Sequence, residues 1–203
     1  MKLASCAVAV VLALSACGEE DKPATTVVAA LGDSITEGAP RLDRESRYGY
    51  WAEMRLKDTS FRHCGVSGER TDQIAARLDD CAEGADVLIV QGGINDIAQG
   101  RAVEEAARNL RAMVERGGEK GLRVALTEVL PWNSGYPAAA PAVNQLNGAI
   151  ARIGRDLGVP VYPWYAKLED PSNPGRMKAE WTSDGDHPSV TGYRRLAQTV
   201  RLP

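Results

Sequence analysis

Four short apolar runs, Thr26–Leu31, Val87–Val90, Val124–Leu126 and Val159–Tyr162, recur along the 203 residues, with stretches of helical period between them. None of them alternates apolar with polar residues. Each therefore reads as a strand covered on both faces, the pattern of a parallel sheet rather than a half-solvated antiparallel one. Phe61–Cys64 is a weaker fifth run. Val103, Ala106, Ala107, Leu110 and Val114 share one helical face, as do Val143, Leu146, Ile150, Ile153 and Leu157. Tyr193, Leu196, Ala197 and Val200 form a third stripe, with Ser189 placed to cap it. The alternation predicts one three-layer α/β domain over 26–203 with right-handed crossovers. No internal repeat or second domain boundary interrupts it, and its main irregular stretches are Ala39–Gly49, Pro131–Pro141 and Tyr162–His187.

Residues 1–16 read as a targeting segment. Lys2 precedes Ala4–Leu14, which is apolar or small throughout but too short to span a bilayer. Leu14-Ser15-Ala16-Cys17 resembles the lipobox of bacterial lipoproteins, in which the cysteine is lipidated and becomes the first mature residue. An ordinary secretory signal is the simpler alternative. Residues 17–25 are then the lipidated Cys17 and a polar tether containing Pro23, which would hold the domain off a membrane surface. The resemblance implies a bacterial lipoprotein facing the periplasm or the cell surface. The residue after Cys17 is not aspartate, which by the same resemblance favours outer-membrane sorting in a host with two membranes. Export makes Cys64 and Cys81 disulfide candidates, because that compartment is oxidising, but their spacing alone leaves the pairing open.

Ligands of open α/β sheets bind beyond the carboxyl ends of the strands. Ser34 follows the first predicted strand, Gly68 the second, Gly93–Asp96 the third and Pro131–Pro141 the fourth, so all fall on one edge. Asp184-Gly185-Asp186-His187 stands just before the last helix and holds one of only two histidines. Serine becomes an effective nucleophile when an imidazole takes its proton and a third group fixes the imidazole. Three residues of separation in a tight turn let the Asp184 carboxylate reach the His187 ring, and Pro188 stiffens that presentation. Asp33, Asp96 and Asp186 read as local hydrogen-bonding groups, with Asp186 an alternative to Asp184 as the orienting carboxylate.

These blocks together resemble the SGNH/GDSL hydrolase superfamily: Gly32-Asp33-Ser34-Ile35, Gly65-Val66-Ser67-Gly68, Gly93-Ile94-Asn95-Asp96 and Asp184-Gly185-Asp186-His187, in order over residues 26–201. Any one block taken alone is weak, since each of its residues has an ordinary structural use. The resemblance implies a flavodoxin-like α/β/α domain around a mostly parallel five-stranded sheet. It implies Ser34 as nucleophile, His187 as base, Asp184 as its orienting partner, and an oxyanion hole from the Ser34 N–H, the Gly68 N–H and the Asn95 amide. Within the superfamily the similarity is greatest to the bacterial thioesterase/lysophospholipase/arylesterase branch. Arg62-His63-Cys64 departs from it, where that branch more often has a small or asparagine-containing stretch.

The expected activity is hydrolysis of a small carboxylic ester or thioester. Deacetylation of envelope or other carbohydrate is the alternative enzyme, and an inactive ligand-binding lipoprotein the alternative non-enzyme. Ser67 is a poorer nucleophile candidate, since Glu69 spoils the G-x-S-x-G elbow. His63 lies in the weak strand and reads as structural. Trp132 and Tyr136 sit on the active edge as candidate walls for an acyl group or a sugar, or as core cover. Arg41, Arg44, Arg47 and Arg70 lie near the nucleophile's end of the sheet among acidic neighbours, as expected of a salt-bridged surface.

Neither H-E-x-x-H nor a phosphate-binding G-x-x-x-x-G-K-[ST] loop occurs, so no metal and no cofactor are expected. A net charge of -3 without a polybasic run gives no support for a nucleic-acid partner. Composition leaves the oligomeric state open.

Overall fold

The computed structural model describes residues 25–38, 48–54 and 59–203. The signal segment 1–16, Cys17 and the tether (save Thr25), and Arg41, Arg44 and Arg47 lie outside the described residues.

Five strands, β1 (Thr26–Gly32), β2 (Thr59–Gly65), β3 (Val87–Val90), β4 (Arg123–Thr127) and β5 (Val161–Tyr162), form one sheet in the order β2-β1-β3-β4-β5. Every pairing is parallel, so the expected "mostly parallel" sheet is wholly so. The apolar runs lack alternation because both faces are covered. Ala29, Leu31, Leu88, Val90, Val124 and Leu126 enter one core, while Val28, Ala30, Val87, Ile89 and Ala125 enter the other. Each fully buried leucine, isoleucine or valine contributes about 1.5–3 kcal/mol of hydrophobic stabilisation.

The first core is roofed by α2 (Thr71–Ala76), α3 (Leu78–Ala82), α5 (Val103–Glu119) and α6 (Ala140–Leu157). The expected stripes of α5 and α6 face it, with Met113 joining the first. The second core lies under α7 (Trp164–Leu168), α8 (Val190–Ala197) and a 3₁₀ turn at Tyr50–Glu53. Ser189 caps α8 as expected, its Oγ accepting the Gly192 N–H at 3.2 Å.

Two expectations need correction. Val159–Tyr162 yields only a two-residue strand, because Pro160 has no N–H to give a ladder and the Val159 N–H is taken by the Gly154 carbonyl closing α6. Tyr162–His187 is not simply irregular: it contains α7, whose Trp164 is fully buried. The Trp164 indole donates to Thr199 Oγ1 at 3.1 Å and its ring meets Tyr50 edge-on, pinning α7 to the end of the chain.

β2 is a weak signal because it is an edge strand with exposed Arg62 and His63. Its departure from the related branch has a structural use. Cys64 forms a disulfide with Cys81 of α3, with Cα atoms 6.0 Å apart. On the same face of β2, Arg62 donates to the carbonyls of Cys81 and Glu83. On the other face, His63 stacks on Trp51 at 4.2 Å, the structural role expected of it.

Candidate active site

In a sheet of this order the crevice opens where connections run in opposite directions from β1 and β3. Ser34 leaves β1 and Asn95 leaves β3, so both flank that crevice. Ser34 begins the short helix α1 (Ser34–Glu37), whose N-cap Asp33 accepts the Ile35 N–H through Oδ1 at 2.9 Å. Cap and helix hold the Ser34 hydroxyl at the strand's mouth, where its residue is only 6% exposed.

His187 reaches it from the far end of the chain. Its Nε2 lies 3.0 Å from Ser34 Oγ, across 153 residues of sequence. Its Nδ1 lies 2.7 Å from Asp184 Oδ2. The turn is closed locally. Asp184 Oδ1 accepts the N–H groups of Asp186 and His187, at 2.9 and 2.7 Å, while Thr182 Oγ1 and the Ser183 N–H both donate to the His187 carbonyl. The two Asp184 oxygens are thus divided between backbone and ring. Burial pushes the Asp184 carboxyl up, but the N–H groups of Asp186 and His187 and the His187 ring outweigh it, leaving the pKa below the ordinary carboxylate value. Asp186 points elsewhere, accepting the Ser134 N–H at 3.2 Å. The structure thereby distinguishes the two carboxylates the sequence left open.

Gly68 lies in the turn after β2 with φ +81°, and a Cβ there would meet nothing within 4 Å. What demands glycine is the left-handed backbone itself. Asn95 belongs to α4 (Ile94–Ala98) and follows Gly93, whose φ of +117° turns the chain out of β3. One N–H of the Asn95 amide donates to the Glu69 carbonyl at 3.0 Å, next to Gly68. An amide nitrogen carries two hydrogens, so the second stays available to a ligand.

Asp33 is fully buried, and its Oδ2 has no hydrogen-bond partner among the described residues. Burial pushes its carboxyl up to about 6, against the downward pull of the Ile35 N–H, the Gln91 side chain and the His187 ring. Gln91 escaped the sequence reading. Its Oε1 accepts both the Asp33 N–H at 3.1 Å and the Thr36 hydroxyl at 2.9 Å, bracing the turn from 58 residues away. Asp96 accepts the N–H and hydroxyl of Thr71, so its role is hydrogen bonding as expected, but across 25 residues to the start of α2 rather than within its own turn.

Trp132 and Tyr136 part company. Trp132 lines a cavity of about 10 Å³ with Ile35, Ile94, Trp164 and Asp186. Tyr136 is absent from that lining and packs against Gly175, with the Arg176 guanidinium 4.5 Å from its ring centre. Asn133 fixes the loop between them by bonding both the N–H and the carbonyl of Met177. Arg70 pairs with Asp72 and donates to Gln99, and Ser67 is exposed in the turn.

An all-parallel sheet bearing a hydroxyl, an imidazole and a carboxylate in line at its carboxyl edge defines a serine ester hydrolase. Residues 30–195 match the GDSL-like lipase/acylhydrolase family, and the chain belongs to it. The esterase TesA of Pseudomonas aeruginosa is 27% identical over 184 residues, an alignment covering 87% of each chain. Among solved structures, a member of the lipolytic protein G-D-S-L family from Veillonella parvula superposes with a TM-score of 0.71 at 20% identity, covering 86% of this chain and 95% of that one. An acetylxylan esterase from Geobacillus stearothermophilus gives a TM-score of 0.70 at 18% identity, over 87% and 92% of the two chains.

Proposed function

We propose that this protein is an exported, lipid-anchored serine esterase that hydrolyses small carboxylic acyl esters or thioesters through an acyl-enzyme. The observation that carries the reading is the unbroken hydrogen-bonded line from Asp184 through His187 to Ser34, at 2.7 and 3.0 Å.

In the first half-reaction Ser34 Oγ bonds to the acyl carbon while its proton passes to His187 Nε2. Asp184 holds the ring with Nδ1–H toward the carboxylate and stabilises the imidazolium without taking the proton. The carbonyl π electrons move onto oxygen, which accepts hydrogen bonds from the Ser34 N–H, the Gly68 N–H and the second Asn95 N–H. Collapse expels the alcohol or thiol, which takes the proton from His187. Water then repeats the sequence, leaving the carboxylic acid and free Ser34. The lowered pKa of Asp184 keeps its carboxylate ionised throughout the neutral range.

The apolar Ala4–Leu14 segment ending in Leu14-Ser15-Ala16-Cys17 supports export with lipidation at Cys17. The Cys64–Cys81 bridge supports an oxidising compartment. The membrane is then a partner through the anchor alone, and the substrate a small acyl ester. Deacetylation of a carbohydrate is a second reading, supported by the likeness in fold to an acetylxylan esterase.

A fluorophosphonate probe read by peptide mass should label Ser34 and no other serine, and Ser34→Ala should lose at least about a thousandfold in turnover. Labelling elsewhere, or a variant as active as the parent, refutes the mechanism. Mass analysis of the mature N-terminus should find a diacylglyceryl Cys17, and an unmodified Cys17 refutes the anchor. Relative turnover of aryl acetate, longer aryl esters and acetylated xylan separates the two substrate readings.

A further inference from the structure

Arg77 fills the single position between α2 and α3, and no step of the proposed reaction uses it. Its guanidinium gathers three pieces of chain. Nη1 donates to the Cys64 carbonyl of β2 at 3.0 Å, and Nη2 to the Gly32 carbonyl, the last of β1, at 3.3 Å. Nε and Nη2 also bind the Glu69 carboxylate, at 3.0 and 2.6 Å. Both side chains are largely sheltered, with exposures of 28% for Arg77 and 17% for Glu69.

These partners are the immediate supports of the donors assigned to the oxyanion. Gly32 precedes Asp33 and Ser34, and Cys64 leads into the turn that carries Gly68. Glu69 follows Gly68, and its carbonyl takes the first N–H of Asn95 at 3.0 Å, which aims the second. The Gly68 carbonyl is held in turn by the Gln99 amide at 3.1 Å. We propose that Arg77, through its ion pair with Glu69, is a positioning residue that sets the relative placement of the Ser34, Gly68 and Asn95 donors. The inference rests on the serine-esterase reading above.

The physical requirement is a planar fork. Three acceptors from separate segments lie around one group, and a guanidinium offers five donors in fixed directions. An ammonium is a point charge that can satisfy the carboxylate but cannot hold two strand carbonyls in register with it. Oxyanion donors act only when preorganised at the developing charge, so a displacement of a few tenths of an ångström falls on kcat rather than on ground-state binding.

The test uses the full chain with p-nitrophenyl acetate as substrate and methaneboronic acid as a tetrahedral analogue. Arg77→Lys and Glu69→Gln should each lower kcat by at least about tenfold, leave KM within about threefold, and weaken the boronic acid in parallel with kcat. In an Asn95→Ala background the Arg77→Lys loss should shrink to less than about threefold, because part of what Arg77 positions is already gone. A parent-like kcat in both variants overturns the proposal. So does an unchanged boronate affinity, or a loss that multiplies in full on Asn95→Ala. If Arg77→Lys fails to fold, Glu69→Gln, which keeps size and shape, decides on its own. The Ser34→Ala control separates the two levels. Activity surviving in that variant removes the esterase reading. An inactive Ser34→Ala beside fully active Arg77 and Glu69 variants removes this inference alone.

Discussion

Replacing Asp33 by asparagine should make the protein more stable than the parent above neutrality, with the difference fading to nothing in acid. Asp33 is fully buried with Oδ2 unpartnered, and its carboxyl is raised from 3.8 to about 6. A raised acid binds its proton more tightly when folded than when unfolded. Its effect on stability is therefore nil below about pH 3.8, grows unfavourable as pH rises toward 6, and is constant beyond. About two pKa units at 1.36 kcal/mol each place the cost of the buried charge near 3 kcal/mol at pH 7.5. Asparagine keeps an Oδ1 for the Ile35 N–H, and the charge lost from that bond is already inside this net figure, because the bond itself helps to set the value of about 6. The gain is about 3 kcal/mol at pH 7.5, or about 6–12 °C in Tm for a chain of this size. Urea and thermal unfolding of parent and variant at pH 4, 5, 6 and 7.5 measure it, since the difference between the two chains isolates the one group. A stability difference independent of pH, or one favouring the parent at pH 7.5, would refute the reasoning.

Asn95→Ala should lower kcat by about a hundred- to a thousandfold with little change in KM, read by steady-state kinetics on an aryl acetate. Cys64→Ser with Cys81→Ser opens a loop of separation 17, so unfolding in urea should show a loss of about 3 kcal/mol. The contacts of Asp184 act with the opposite sign to those of Asp33. A depressed carboxyl adds stability that is present above the ordinary value of 3.8 and vanishes as pH falls through the lower folded value. Parent and Asp184→Ala should therefore converge in Tm only in strong acid, and convergence already at pH 5 would contradict the assignment.

The layer order and the active edge were legible because both follow from local pattern. Runs such as Val87–Val90 are apolar on both sides, and a parallel sheet necessarily puts Ser34, Gly68 and Asn95 at one end. β2 and β5 were blurred because an edge strand is half solvated and because Pro160 ends a ladder. The short helices α1 to α4 were hard to delimit, since four to six residues barely establish a helical period. Tyr136 shared a loop with Trp132, yet only packing against Gly175 and Arg176 took its ring away from the cavity.

Residue chemistry in order along the chain therefore determined the hydroxyl, the imidazole and the carboxylate, because nucleophilic acyl transfer needs those groups and little else supplies them. Whether Asp184 or Asp186 faces the ring, whether Cys64 meets Cys81, and how Gln91 and Arg77 brace their turns were decided only by tertiary structure. The reason is physical. A catalytic group must carry a particular function, which composition reveals. A supporting group needs only a donor or acceptor delivered at the right place, and the fold brings that from tens of residues away.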